Sequence, residues 1–207
     1  PALSGYVPSS SDMANTDIFD KYMLSRLNSL IKQVSSAYED LRFYDAANAI
    51  INFYWHVFCD YYLENIKYVV YGDDKARKKG VQYTLHAVVD AVLRMLAPII
   101  PFSTAELYQS FAGKDVHAQQ FPVADEHAID KDIEEKGEYL NNIISMIRKE
   151  KTKNKLALNF ELTKIIINVP EKYYTLLAEN KHKLELIAKV KEIEVKVGKE
   201  EGVSIAQ

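Results

Sequence analysis

Residues 53–71 read "FYWHVFCDYYLENIKYVVY". The stretch holds the chain's one cysteine, Cys59, and its one tryptophan, Trp55, with His56 and Asp60 beside them. A thiol, an imidazole and a carboxylate this close raise the question of a catalytic cluster. Advanced at about 100° per residue, Trp55, Phe58, Cys59, Tyr62, Ile66, Val69 and Val70 fall on one broad apolar face. His56, Asp60, Glu64 and Lys67 form a narrow polar stripe. Phe53, Val57, Tyr61 and Tyr68 line a further side. A helix apolar round most of its circumference belongs at the centre of a bundle. Trp55 and Cys59 are then expected to point into the core. A buried thiol remote from positive charge acts as a small hydrophobe, not a nucleophile. His56 and Asp60 are at i,i+4, a surface pair worth only ~0.2–0.5 kcal/mol.

Working outward, Leu24, Leu27, Ile31, Val34, Tyr38 and Leu41 recur at gaps of three and four and predict an earlier amphipathic helix. Thr16 or Asp17 is its expected N-cap. "EDLRFYD" (39–45) breaks the stripe, with Asp45 the expected cap of the next helix, which runs to about Tyr71. Asp73 or Asp74 starts a third helix with Val81, Leu85, Val88, Val92 and Leu96 on its core face. Pro98 and Pro101 stop it. Ser103 and Glu106 match a capping box, with Phe102 and Leu107 at the staple positions, predicting a helix over 103–112.

Later residues change character. Residues 128–150 carry Ile129, Ile133, Leu140, Ile143, Ile144 and Ile147 as apolar markers of a helix. "LTKIIINV" (162–169), ending at Pro170, and the alternating "VKEIEVKV" (190–197) predict strands flanking a helix at 171–187, and "GVSIA" suggests a third strand. The expected fold is mainly α: an antiparallel helical bundle followed by a small α/β helix–strand–helix–strand unit. The expected domains are a linker or extended arm (1–16), the bundle (17–125) and the appendage (126–207).

The 207 residues are 48% apolar and 27% charged, with a net charge of −3, which suits a folded core and excludes a uniformly basic nucleic-acid binder. One cysteine excludes an internal disulfide framework and a cysteine-based zinc site. No apolar run is long enough to span a bilayer, and no signal peptide is visible. A start at Pro1 reads as a piece of something longer. Phosphate-binding glycine loops, H-E-x-x-H and G-x-S-x-G are absent. The histidines (56, 86, 117, 127 and 182) lack ligand spacing, and His86 reads as a packed residue. No catalytic residue and no metal ligand is assigned.

Three basic features are candidates for contact with nucleic acid. "RKEKTKNK" (148–155) holds Arg148, Lys149, Lys151, Lys153 and Lys155 against Glu150. Bases at a helix end complement its dipole, but the run passes the expected helix end, which leaves a phosphate-contacting patch equally open. "KARKK" (75–79) sits at a helix start, where its charge opposes the dipole. "RFYD" (42–45) places Arg42 beside Phe43 and Tyr44 in a turn, a cation and rings that suit phosphate and an unpaired base. Tucking of the Phe43 ring into the bundle is the structural alternative.

The stretch from "DKYMLSRLNSLIKQV" through "FYWHVFCDYYLENIK", with "VVDAVLRMLAPIIPFSTAELYQSF", resembles the anticodon-binding domain of class I aminoacyl-tRNA synthetases in the valine, isoleucine and leucine group. Phe58-Cys59-Asp60 with Tyr62 and Glu64 is most similar to the valyl branch, and "IRKEKTKNKLALNFEL" to its archaeal type. The resemblance covers about residues 17–169. It implies a parent enzyme that joins valine to tRNA using ATP and Mg, with its two nucleotide-site signature motifs, neither found here. This stretch would be the C-terminal, anticodon-reading part, with no cofactor of its own. Its implied partners are the tRNA anticodon stem and loop and the parent's catalytic and editing domains, in a cytoplasmic monomer with no membrane contact. The residues expected to touch RNA are Arg26, Lys32, Arg42, Phe43 and Asn48 around the first helix–turn–helix. Lys75, Arg77, Lys78 and Lys79 are expected on phosphates. Arg148, Lys149, Lys151, Lys153 and Lys155 are expected on the stem. An isoleucyl- or leucyl-type domain and a helical protein-interaction module are the alternatives.

Overall fold

A computed structural model describes residues 2–198 and 200–206. The chain forms two compact units, residues 1–134 and 135–207.

The first unit is helical. Helix α1 (Ile18–Glu39) starts at Asp17, whose carboxylate accepts from the backbone N–H of Phe19 and Asp20 while Asp20 accepts from the N–H of Asp17. This reciprocal cap satisfies donors that have no partner inside the helix. Phe19, Met23, Leu27, Leu30, Ile31 and Val34 are its buried stripe. Leu41 does not continue that stripe: it adopts a left-handed φ of 58° in the turn and is 73% exposed. Helix α2 (Phe43–Asn52) begins two residues before the expected Asp45 cap, with Arg42 in the capping position.

The opening stretch corrects the helical wheel. Residues Phe53–Tyr62 form a π-helix, followed by the short helices α3 (Leu63–Asn65) and α4 (Lys67–Val70). An i→i+5 bonding pattern widens each turn, so the advance falls to roughly 80–85° per residue. The buried apolar side chains over residues 53–66 are Phe53, Phe58, Tyr62 and Ile66, starting with a spacing of five. Trp55 is carried out of the core and is 54% exposed, contrary to its expected inward direction. Cys59 is half-buried.

Helix α5 (Lys75–Leu96) is capped by Asp74 and buries Val81, Leu85, Val88, Val92 and Met95. Residues 2–16, expected as a linker or extended arm, lie against it. Gln82 donates to the carbonyl of Ala2, and a 3₁₀ turn (Ser10–Asn15) passes so close to Gly80 that a Cβ there would lie 2.2 Å from the carbonyl oxygen of Asn15. Helix α6 (Pro101–Ala112) ends on left-handed Gly113 as its composition demands. Its start differs from expectation. Pro101 takes the first helical position, which suits a residue with no N–H and a fixed φ. Ser103 therefore lies inside the helix and caps nothing, and Phe102 and Leu107 are exposed.

In the second unit, helix α7 (Lys131–Lys153) contributes buried Leu140, Ile143, Ile144 and Ile147. Strands β1 (Leu162–Val169) and β2 (Val190–Val197) pair in parallel, joined by α8 (Glu171–Ala188), and β3 (Gly202–Ile205) pairs antiparallel on the other side of β1. The central β1 buries Leu162, Ile165, Ile167 and Val169. Tyr139 of α7 stacks on Tyr173 of α8 at 3.5 Å between ring centroids. The fold is the mainly α arrangement with a small α/β unit that the pattern predicts.

Candidate nucleic-acid interface

The turn between α1 and α2 presents the first group of expected contacts. The left-handed Leu41 swings Arg42 outward, where its guanidinium donates to Asp40 at 3.0 Å and Asp45 at 2.9 Å. Hydrogen bonds to Asp45 and Asp40 raise its already high pKa. Two carboxylates outweigh one guanidinium, so this corner offers direction more than a net positive field. Phe43 is half-exposed, not tucked away, and its ring meets Tyr38 at 5.7 Å. Tyr44 is more exposed still, at 79%.

Arg26 lies over the Tyr22 ring and donates to its hydroxyl at 3.2 Å. It lines a groove of about 340 Å³ with Ser29, Gln33, Ala49, Asn52 and His56, and half-buried Asn48 precedes Ala49. Lys32 lines a separate cleft and pairs with exposed Glu126 at 2.6 Å. Tyr38 lines that cleft too, so its ring connects the Lys32 side to Phe43.

The basic start of α5 divides. Lys75 and Lys79 are exposed, Lys79 over the Tyr6 ring, and Lys78 donates to the carbonyl of Gly72. Arg77 does not belong with them. It turns inward and bridges Asp17 at 2.9 Å and Asp20 at 2.6 Å, while Tyr62 donates to Asp20. The dipole conflict expected of this cation is resolved by two buried-side carboxylates, and its guanidinium is unavailable to phosphate.

The basic run of the second unit divides likewise. Helix α7 reaches Lys153, three residues beyond the expected end, so most of the run sits in its last turns. Lys149, Lys153 and Lys155 are exposed and Arg148 is half-buried. Lys151 is 1% exposed and donates to the carbonyls of Leu158, Phe160 and Ala188. Burial lowers its pKa. It too is removed from the contact set, because its role is to satisfy backbone acceptors inside the unit.

His56 and Asp60 form the expected exposed pair, at 3.1 Å. The Cys59 thiol is pushed up by burial, the opposite of what a nucleophile needs.

A profile of the family described as the anticodon-binding domain of tRNA ligase matches residues 20–167, more than half of the chain. This chain belongs to that family. The match runs from α1 of the anticodon-binding domain through α7 into β1. Relatives include the valine–tRNA ligase of Archaeoglobus fulgidus, 35% identical over 80% of this chain and 19% of the relative. That of Thermococcus kodakarensis is 34% identical over 86% of this chain and 22% of the relative. That of Latilactobacillus sakei is 33% identical over 90% and 21%. The chain thus spans about a fifth of the length of these relatives.

On this anticodon-binding domain, Tyr38 and Glu39 of α1 and Phe121 and Val123 line one cleft, none of them among the expected contacts. The segment "FPVADEH" (121–127) opens with half-buried Phe121 and buried Pro122, the local signal that it lies on the bundle. Among the described residues, no helix is long and apolar enough to cross a membrane.

Proposed function

We propose that this chain is the anticodon-reading part of a valine–tRNA ligase. The observation that carries the reading is its similarity to valine–tRNA ligases over most of its own length. The geometry supports it. Anticodon bases are unpaired, so a protein can stack on their faces and bond their edges. Exposed Phe43 and Tyr44 beside Arg42 offer rings and a cation at one turn. The bundle (17–125) touches the anticodon loop with Arg26, Lys32, Arg42, Phe43 and Asn48. The appendage (126–207) holds the stem through Arg148, Lys149, Lys153 and Lys155, and Lys75, Lys78 and Lys79 touch phosphates. The parent enzyme, a cytoplasmic monomer using ATP and Mg, supplies the ester-forming and editing domains and joins valine to its tRNA. This part contributes recognition and no chemistry of its own.

Filter binding of valine tRNA, across a salt series and beside anticodon-swapped variants, tests the proposal. Binding that weakens steeply with salt and falls on anticodon exchange is the expected result. Equal affinity for every tRNA reduces the role to generic RNA binding. Preference for an isoleucine or leucine anticodon reassigns the branch.

A further inference from the structure

Two tyrosines of the second unit meet in a geometry that neutral rings avoid. The rings of Tyr139 (α7) and Tyr173 (α8) are 3.5 Å apart between centroids and inclined by 16°. Aromatic pairs ordinarily take offset or edge-on arrangements with centroids about 4.5–7 Å apart, because their electron-rich faces repel. The stacked Phe58–Tyr62 pair of the first unit follows that habit, at 6.0 Å and 22°. Carbon atoms in contact sit about 3.5–4.0 Å apart, so the Tyr139–Tyr173 separation leaves almost no lateral offset. One ring lies squarely over the other. Full overlap is also the geometry in which two rings best share a missing electron. Repulsion between two filled π systems turns to attraction once one electron is gone.

The polar neighbours suit such a loss. Tyr173 donates its hydroxyl to exposed Glu135 at 2.7 Å, so a base stands ready for the phenolic proton. Burial and the Glu201 carboxylate push up the Tyr139 hydroxyl, so that ring also has a base beside it. Lys172 opposes. Its ammonium lies 4.2 Å from the Tyr173 centroid and disfavours positive charge on that ring, although it also pairs with Glu135 at 3.4 Å. Tyr173 is half-buried and Tyr139 is 8% exposed. Tyr173 is therefore the ring that an oxidant meets, and Tyr139 the partner that another molecule cannot reach.

We infer that Tyr139 and Tyr173 form an oxidative cross-linking site, which peroxide-derived one-electron oxidants convert to a dityrosine joining α7 to α8. Two oxidant equivalents each take one electron and are reduced by one. The Tyr173 proton passes to Glu135, and the Tyr139 proton to Glu201. A small rotation within the stack aligns the ring carbons ortho to the hydroxyls, and a carbon–carbon bond forms between them. The two ortho hydrogens then move to the oxygens, which restores both phenols. The pair loses two protons and two electrons in all. Reacting atoms held about 3–3.5 Å apart behave as a unimolecular pair, which favours this coupling over encounters between chains. The site does not depend on RNA binding.

The test treats the full chain with ruthenium tris-bipyridyl, persulfate and light, which draw single electrons from tyrosine, and repeats it with hydrogen peroxide and a haem peroxidase. The expected product is a fluorescent monomer lighter by two hydrogens. Trypsin should release peptides 137–148 and 173–181 joined to each other, with fragmentation placing the bond on Tyr173 and not on its neighbour Tyr174. The yield per chain should not change on dilution. Tyr139→Phe and Tyr173→Phe each keep a ring in the stack and should each abolish the joined peptides without altering far-UV circular dichroism. Lys172→Gln, at an exposed position, should speed the reaction. The linked chain should unfold at higher urea, since a closed loop restricts the unfolded state. Fourteen tyrosines compete, so coupling confined to others overturns the inference, as does a yield that fades on dilution or survives either Phe substitution. Slower coupling in Lys172→Gln contradicts the shared charge, and an unchanged urea midpoint contradicts a link between α7 and α8.

Discussion

Lys151 donates to the Ala188 carbonyl at 2.6 Å, joining the last turn of α7 to the end of α8. The same ammonium donates to Phe160 at 2.6 Å and Leu158 at 3.2 Å. A buried cation is costly unless its protons are placed, and here three backbone oxygens from two segments take them. Lys151→Met removes the charge but strands those oxygens, each costing about 1–3 kcal/mol when left unsatisfied. The expected loss is about 2–4 kcal/mol, read by urea unfolding, with hydrogen exchange accelerated around 156–162 and 188–190. Lys149→Met, two residues away at an exposed position, should stay within about 0.5 kcal/mol. Equal effects from the two would overturn the assignment.

Arg77 should behave as an internal strut. Burial and the Asp17 carboxylate lift Asp20 to about 6, with Arg77 acting against them. Arg77→Met leaves Asp20 without its cation, and breaking such a pair costs about 3–5 kcal/mol. A raised carboxyl is protonated in the folded state while still ionised in the unfolded one, so stability falls as pH rises through that window. Loss of Arg77 raises Asp20 further. The cost of Arg77→Met should therefore be smaller at pH 5 than at pH 7.5 in thermal unfolding. A cost independent of pH would show that Asp20 stays ionised.

The π-helical winding makes a paired prediction. Phe58→Ala, at a buried ring, should cost about 3–5 kcal/mol. Trp55→Ala, three residues before it and half-exposed, should cost about 1 kcal/mol or less. An α-helical wheel assigns both to the core, so similar losses would favour ordinary winding.

His86 lies between the rings of Tyr6 and Phe111, and burial lowers its pKa although Asp90 opposes the shift. A histidine held neutral in the fold gains a proton more readily when unfolded. Its contribution is complete above its unfolded pKa of about 6.5 and is lost as pH falls below it. The stability difference between the native protein and His86→Phe should therefore shrink or reverse between pH 7.5 and 5. A constant difference would contradict a neutral, packed imidazole.

Much of this architecture is written locally. "LTKIIINV" and "VKEIEVKV" mark β1 and β2 to the residue, because β-branched runs and a period of two are local properties closed off by Pro170 and Gly198. The helix caps are legible to within one residue: Asp17 and Asp74 are each one of the two neighbouring candidates that the pattern offers. Errors arise where distant groups or neighbouring signals decide. Ser103-Thr-Ala-Glu106 is a sound cap pattern, but Pro101 had already started the helix. An α-helical wheel misplaces residues 53–62 because the chain winds there as a π-helix. Lys149, Lys151 and Lys153 look alike in sequence; only the carbonyls of 158, 160 and 188, brought in by later segments, draw the middle one inside. Arg77 is distinguished from Lys75 and Lys79 in the same way, by Asp17 and Asp20 from α1. The cleft at Glu39 was hidden because its two walls are more than eighty residues apart.

The widened turn also gives the molecule its own optical reporter. Because Trp55 is the sole indole and already meets solvent, its emission should shift little when the chain unfolds. A blue shift would instead register something settling over Ile51, Tyr54 and Trp55, three apolar side chains exposed on the same helical run. Titrating RNA or a protein fragment while watching that one fluorophore would separate occupancy of this face from events at Phe43, without attaching any dye.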